Sequence, residues 1–240
     1  MPTIVVKGYS DHVREPAALK AVPNDRVDRA PPTSLKDQAY LDLRDQIISL
    51  EIQPGSLLQE DELMRSLGVG RTPIRDAIKR LHHERLVVVL PRRGTLVSEI
   101  NIVHLAQLSE VRLRNEGFAA SLAAERATDT QREHCGLLIH TLQNLNKRTP
   151  RGDVVNLDRE VHDLVYRAAH NPFLEDTLRQ HYHLSLRLWF VVLDRVLRID
   201  ELVRDHRALL NAIRRRRPPQ AQEIAQQHVR EFEQAIRSAI

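Results

Sequence analysis

The chain has 240 residues, enough for two domains, with 36 Lys and Arg against 32 Asp and Glu for a formal charge of +4. A single cysteine, Cys135, excludes an internal disulfide. No apolar run approaches the length of a membrane span, so a cytoplasmic protein with no membrane partner is expected. Glycine is sparse at 8, aromatics make up 4%, and Leu, Ala, Arg and Glu recur with helical period, which predicts a mainly α protein.

Residues 1–33 read as a disordered arm. Five prolines (Pro2, Pro16, Pro23, Pro31, Pro32) fall among balanced charges, and only Thr3 to Val6 is apolar. Order begins at Ser34, a helix cap. Leu35, Ala39, Leu43, Ile47 and Leu50 then mark one face of a first helix that ends by Pro54-Gly55. A short second helix is expected from about Glu60 to Leu67, closed by Gly68, and the turn Gly68-Val69-Gly70 leads into a third.

That third helix opens Arg71-Thr72-Pro73-Ile74-Arg75. Thr72 is expected to cap it and Pro73 to sit in its first turn, while Ile74, Ala77, Ile78 and Leu81 form a buried stripe. Arg71, Thr72, Arg75 and Lys79 then lie toward the end that a helix-turn-helix points at base edges. On spacing alone, an ordinary surface helix with a basic face explains these residues equally well. The period next turns extended. Leu86 to Leu90 and Thr95 to Ser98 are two strands about the turn Pro91-Arg92-Arg93-Gly94, so three helices and a β-hairpin make a winged helix over residues 34–100. Arg93 and Gly94 at the wing tip suit close approach to a phosphate or a minor groove. Residues 71–100 hold seven Lys and Arg against three Asp and Glu, so the basic excess falls on the two elements expected to touch DNA.

Residues 101–240 are all-helical by period, with breaks that fit six helices in a bundle. Leu178, Leu184, Leu188, Trp189, Val192 and Leu193 are assigned to its core or to a subunit contact. The run Arg214 to Arg217 is assigned to a solvated helix end. Asp158 and His162 lie four apart on one helical face, His206 falls on a later helix and His228 on the last. Three imidazoles and a carboxylate suit zinc first, and also nickel, manganese or iron, with positions left for another ligand. By spacing alone, an Asp-x-x-x-His pair is more often a surface hydrogen bond.

Two resemblances bear on these readings. Ile52-Gln53-Pro54-Gly55, Glu60 to Leu67, Gly68 through Ile78, Leu81, Leu86-Val87 and Pro91 through Thr95 resemble the GntR family of bacterial transcriptional regulators. That family usually has Ser or Thr at the position of Gly70 and Gly at the position of Arg85. Arg112 with Glu116, Asp158 through His162, Ala168 through Leu174, and His206 and His228 are similar to the FCD-type effector domain of the branch that includes the fatty-acid-responsive regulator. The resemblance implies a divalent metal held by Asp158, His162, His206 and His228. A small carboxylate metabolite would complete the shell, with Arg112 anchoring it or else paired with Glu116. It implies further a homodimer that binds a pseudo-palindromic operator in double-stranded DNA, more often as a repressor. Two rival classes are a metal-dependent hydrolase, for which no additional general base is recognisable, and a sequence-neutral architectural DNA-binding protein, which has no need of a metal-lined bundle.

Overall fold

A computed structural model describes residues 34–146, 148–196 and 199–239 of the chain, so the arm at 1–33 lies outside the described residues. Helix α1, Leu35–Ile48, starts where Ser34 Oγ accepts from the Asp37 amide at 3.3 Å. It stops before Pro54-Gly55 because Leu50 adopts a left-handed conformation, φ 63°. Leu50 therefore lies outside the helix, and Leu35 is 60% exposed, so the buried face is carried by Ala39, Tyr40, Leu43, Ile47 and Ile48.

Strand β1, Leu57–Leu58, was not expected from the sequence. Two residues carry no alternation to detect, and they become a strand only by pairing with a later one. Helix α2, Glu60–Leu67, has three acids in its first turn, which suits the positive end of the helix dipole, and ends on Gly68 at φ 65°. Helix α3 runs from Arg71 to His83. Its N-cap is Gly70 with no side-chain capping bond, so Thr72 is not the cap; it sits inside the first turn, before Pro73. The stripe Ile74, Ala77, Ile78 and Leu81 is buried, and fully burying an Ile or a Leu contributes about 1.5–3 kcal/mol before entropy.

Strands β2, Val87–Leu90, and β3, Gly94–Val97, form the wing, with Val88 opposite Leu96 and Leu90 opposite Gly94. β1 adds to the far side of β3, giving the antiparallel order β1-β3-β2. Gly94 has φ 93°, and a Cβ there would lie 3.0 Å from Leu57 Cδ1. Arg85, which joins α3 to β2, is also left-handed at φ 63°, a conformation that glycine adopts without steric cost.

Six helices follow: α4 Ile102–Arg126, α5 Asp129–Gln143, α6 Arg151–Ala168, α7 Pro172–Val196, α8 Ile199–Arg214 and α9 Pro218–Ala239. A capping box of Thr128 with Gln131 fixes the start of α5. The head, residues 34–97, has its own apolar core built on Leu43, Ile47, Ile74, Leu81 and Leu86. The helices share a second core that includes Ala120, Leu142, Val161, Tyr166, Leu178 and Leu210. Leu188 and Val192 join Leu105 and Ile236 in a smaller cluster that Trp189 flanks. The Leu193 side chain lies outside the described residues.

Helix α7 braces head against bundle. Leu184 packs on the head core, His183 Nδ1 lies 3.9 Å from Glu84 Oε2, and Arg187 Nη2 donates to the Ser98 carbonyl at 2.5 Å. Glu84 itself caps the end of α3 and accepts from the Tyr40 hydroxyl of α1 at 2.9 Å. Burial, only partly offset by Glu99, pulls the Arg187 guanidinium down to about 10.

Candidate metal centre and nucleic-acid interface

Helices α6, α8 and α9 bring Asp158, His162, His206 and His228 together so that one donor atom from each lies within 4.8 Å of the others. The four residues anticipated from sequence therefore converge. Asp158, His162 and His206 are buried, and His228 is partly so. Asp158 Oδ1 is 3.3 Å from His206 Nε2 and 3.8 Å from His162 Nε2, and the His206 and His228 rings lie edge to face with centroids 4.8 Å apart.

The atoms behind this quartet aim its donors inward. Tyr182 donates to Asp158 Oδ2 at 2.7 Å, leaving Oδ1 on the histidine side. Burial and the Asp158 charge push the Tyr182 hydroxyl well above its ordinary range, so it stays a donor. Tyr166 commits its proton to Glu116 Oε1 at 2.7 Å. Its 3.3 Å contact with His162 Nδ1 is then made by the imidazole N–H donating to the tyrosine oxygen, and in the neutral ring Nε2 carries the lone pair. On the far side, His228 Nδ1 lies 4.0 Å from Asp205 Oδ2. Burial raises the Asp205 carboxyl, but His228, Arg204 and Glu231 outweigh it and hold it at about 2.

This donor set fits a divalent ion. A tetrahedral shell about 2.1 Å from zinc spaces its donors about 3.4 Å apart, so donors spread over up to 4.8 Å close by about an ångström when an ion binds. Carboxylates stand behind two of the imidazoles, Glu116 Oε2 3.8 Å from His162 Nδ1 and Asp205 Oδ2 4.0 Å from His228 Nδ1, as outer groups commonly do behind a metal-ligating histidine. Burial opposes ionisation of Asp158, yet the histidines and Tyr182 hold its carboxyl below the usual range. Burial likewise opposes charge on His162, but Asp158 and Glu116 shift its pKa upward.

Arg112, on α4, lies beside this centre. Its Nε and Nη2 donate to Glu116 Oε1 at 3.2 and 2.9 Å, and both side chains are almost wholly buried. Burial lowers and Glu116 raises the Arg112 pKa, with a net rise, while Arg112 in turn keeps Glu116 ionised well below the ordinary carboxylate range. No hydrogen bond among the described residues takes Nη1.

On the head, Arg71, Thr72 and Arg75 lie at the exposed start of α3, Lys79 is exposed further along the same helix, and Arg93 and Gly94 are exposed at the wing. Arg71 Nη2 donates to Asp61 Oδ1 at 2.9 Å, Arg75 Nε donates to Glu60 at 3.0 and 3.2 Å, and Lys79 pairs with Asp76 at 3.4 Å. Sequence reasoning missed Tyr182, which reaches the centre from α7, and Asp205, which precedes His206 on α8 and faces His228 of α9. Tyr166 was within reach, because it continues the four-residue spacing of Asp158 and His162 on α6.

A winged helix-turn-helix with arginines at the exposed start of its third helix, joined to a helical bundle, defines a DNA-binding regulator. Models of two families match the chain: "Bacterial regulatory proteins, gntR family" over residues 35–97 and "FCD domain" over residues 107–231. The chain belongs to the GntR family of transcriptional regulators, in its FCD-containing form, and it is a regulator rather than an enzyme. It is 26% identical over 207 residues to the HTH-type transcriptional repressor RspR of Escherichia coli (strain K12), covering 86% of this chain and 91% of RspR. In fold it is similar to E. coli McbR/YncC, with TM-score 0.72 and 23% identity over 84% of this chain and 98% of that one. A GntR regulator from Rhodococcus sp. RHA1 gives TM-score 0.65 and 18% identity over 87% of this chain and 100% of that one. Among the described residues no helix is long and apolar enough to cross a membrane.

Proposed function

We propose that this regulator is controlled by a small organic acid bound at a metal in its helical bundle, with residues 34–100 as the DNA-binding unit and residues 101–240 as the effector-binding and dimerisation unit. The observation that carries the proposal is the convergence of Asp158, His162, His206 and His228, each backed or buried so that a donor faces the others. Zinc is the first candidate for the ion, with nickel, manganese and iron as others of suitable chemistry. Bound there, a divalent ion supplies a Lewis-acidic positive charge that one aspartate and neutral imidazoles leave unbalanced, and a carboxylate offsets that charge. Arg112 offers Nη1 as a second anchor for the same carboxylate.

In this reading the chain acts as a homodimer whose two α3 helices read a pseudo-palindromic operator with half-sites about one helical turn apart. Arg71, Thr72, Arg75 and Lys79 make the helix contacts, and Arg93 and Gly94 the wing contacts. The action is repression, as in the relative named a repressor, with release on binding the acid. Helix α7 joins the two ends: Tyr182 holds a metal ligand, and His183, Leu184 and Arg187 hold the head. The acid shifts operator affinity only as far as it binds the two arrangements of this joint unequally.

Metal analysis tests the carrying observation. The purified wild type is expected to hold close to one divalent ion per chain, and a His206→Ala/His228→Ala double variant to hold little. Equal metal content in both proteins contradicts the proposal.

A further inference from the structure

The two arginines at the start of α3 each meet a carboxylate of α2, but on different edges of the guanidinium. Glu60 takes the Nε edge of Arg75, with Oε2 at 3.0 Å and Oε1 at 3.2 Å from Nε, and no hydrogen bond among the described residues takes Nη1 or Nη2. Asp61 instead takes a terminal nitrogen of Arg71, Nη2, at 2.9 Å, while Arg71 Nε stands 4.0 Å from Glu60. A guanidinium that reads guanine presents two N–H groups in one plane to O6 and N7. The Glu60 contact leaves Arg75 a complete terminal fork, whereas the Asp61 contact consumes part of that fork on Arg71.

Stability does not explain Glu60. Its side chain is 34% exposed and that of Arg75 58% exposed, and such ion pairs contribute about 0–1 kcal/mol. The dipole of α2 is served equally by Asp61 and Glu62 in the same turn. Beside a polyanion the carboxylate weakens binding, because it repels phosphates that the basic face attracts. A group that lowers affinity yet grips a base-reading side chain fifteen residues away in sequence fits selectivity.

We infer that Glu60 is a positioning and specificity-determining residue: it holds the Nε edge of Arg75 in the DNA complex so that the terminal nitrogens face one base pair in each half-site. The Asp61–Arg71 pair, by contrast, opens when DNA binds. This rests on α3 being the DNA-reading helix, and the test separates the two claims. The probes are the duplex that full-length wild type selects from a randomised pool, the same duplex with single base-pair changes, and a random duplex.

Glu60→Gln and Glu60→Ala are both expected to bind random duplex more tightly. Glu60→Ala should lower the selected-to-random ratio by about tenfold, with the loss confined to one base pair per half-site. Asp61→Asn is expected to raise both affinities by a common factor and keep the ratio. Glu60→Gln is near-isosteric, and circular dichroism of each variant confirms that the head is folded. If Arg75→Ala loses the ratio while both Glu60 variants keep it, the positioning role is wrong and the reading of α3 stands. If Arg75→Ala keeps the ratio, the reading of α3 itself is wrong.

Discussion

The head and the bundle both work with charge, but they keep it differently. On α2 and α3 the ionic groups lie in solvent and hold one another loosely; Arg71, Arg75 and Lys79 have side chains 56, 58 and 78% exposed, so each can exchange a protein carboxylate for DNA. In the bundle Arg112, Glu116, Asp158, His162 and His206 are buried, and they are held both along a helix, as Arg112 by Glu116, and between helices, as Asp158 by His206 and Tyr182. Exposed pairs cost little to break, whereas burying a charge is costly unless its partner stays in place. The head is thus suited to reversible contact and the bundle to holding an ion, and changes in the two should affect different observables.

The largest effect is expected from Glu116→Ala, which strands a buried guanidinium at Arg112. Denaturant unfolding should show a loss of about 3–5 kcal/mol. A loss below about 1 kcal/mol, the range of exposed pairs, would erase the contrast between the two regions.

His206→Ala or His228→Ala should remove the gain in thermal midpoint that added zinc gives the wild type, because a site assembled from separate helices couples binding to folding. The pH dependence has a definite sign. The imidazoles must be neutral to bind the ion, so occupancy measured at fixed free zinc should fall as pH drops through the histidine range. Occupancy that is flat across that range breaks the assignment of three imidazole ligands.

Arg71→Ala and Arg75→Ala should each weaken binding to the selected duplex by about 1–3 kcal/mol at fixed salt if they contact bases, and Lys79→Ala by less. Neither arginine variant should lower the thermal midpoint appreciably, which separates the head from the bundle on a second axis. Wild-type affinity in both variants contradicts the assignment of α3 as the reading helix. The smallest effect concerns the join between α3 and the wing. Arg85 sits at φ 63°, where a side chain costs about 1–2 kcal/mol, so Arg85→Gly is expected to raise unfolding stability by up to about 1 kcal/mol after the added chain entropy. A loss of stability would mean that the Arg85 side chain contributes more than its backbone costs.

The same contrast explains what the sequence revealed. Local devices were legible: the bounds of α2, closed by Gly68, the apolar stripe on α3, the hairpin and the six later helices all follow from period, caps and turn residues. Thr72 was misplaced because a hydroxyl beside Pro73 looks like a cap, whereas the helix begins at Arg71 and its cap lies two residues before Thr72, on Gly70. Of the metal centre, only Asp158 and His162 share a helical face; His206 and His228 were candidates on later helices that the resemblance strengthened, and the fold brings all four together. Tyr182, Asp205 and the Glu60–Arg75 pair had no local signal, because each depends on how separate helices cross. The brace through His183, Leu184 and Arg187 was hidden for the same reason. Leu184 looked like part of a bundle core or a subunit contact, and it packs on the head.

The central claim is that occupancy of the bundle sets the affinity of the head for DNA. It is tested most directly by titrating the wild-type-selected duplex with wild type and Asp158→Ala, each with zinc, with zinc plus a panel of small organic acids, and with a chelator. The account predicts that at least one acid weakens wild-type binding only when zinc is present, and that Asp158→Ala binds the duplex but does not respond. A response of full size that persists in Asp158→Ala and in the presence of chelator would contradict it.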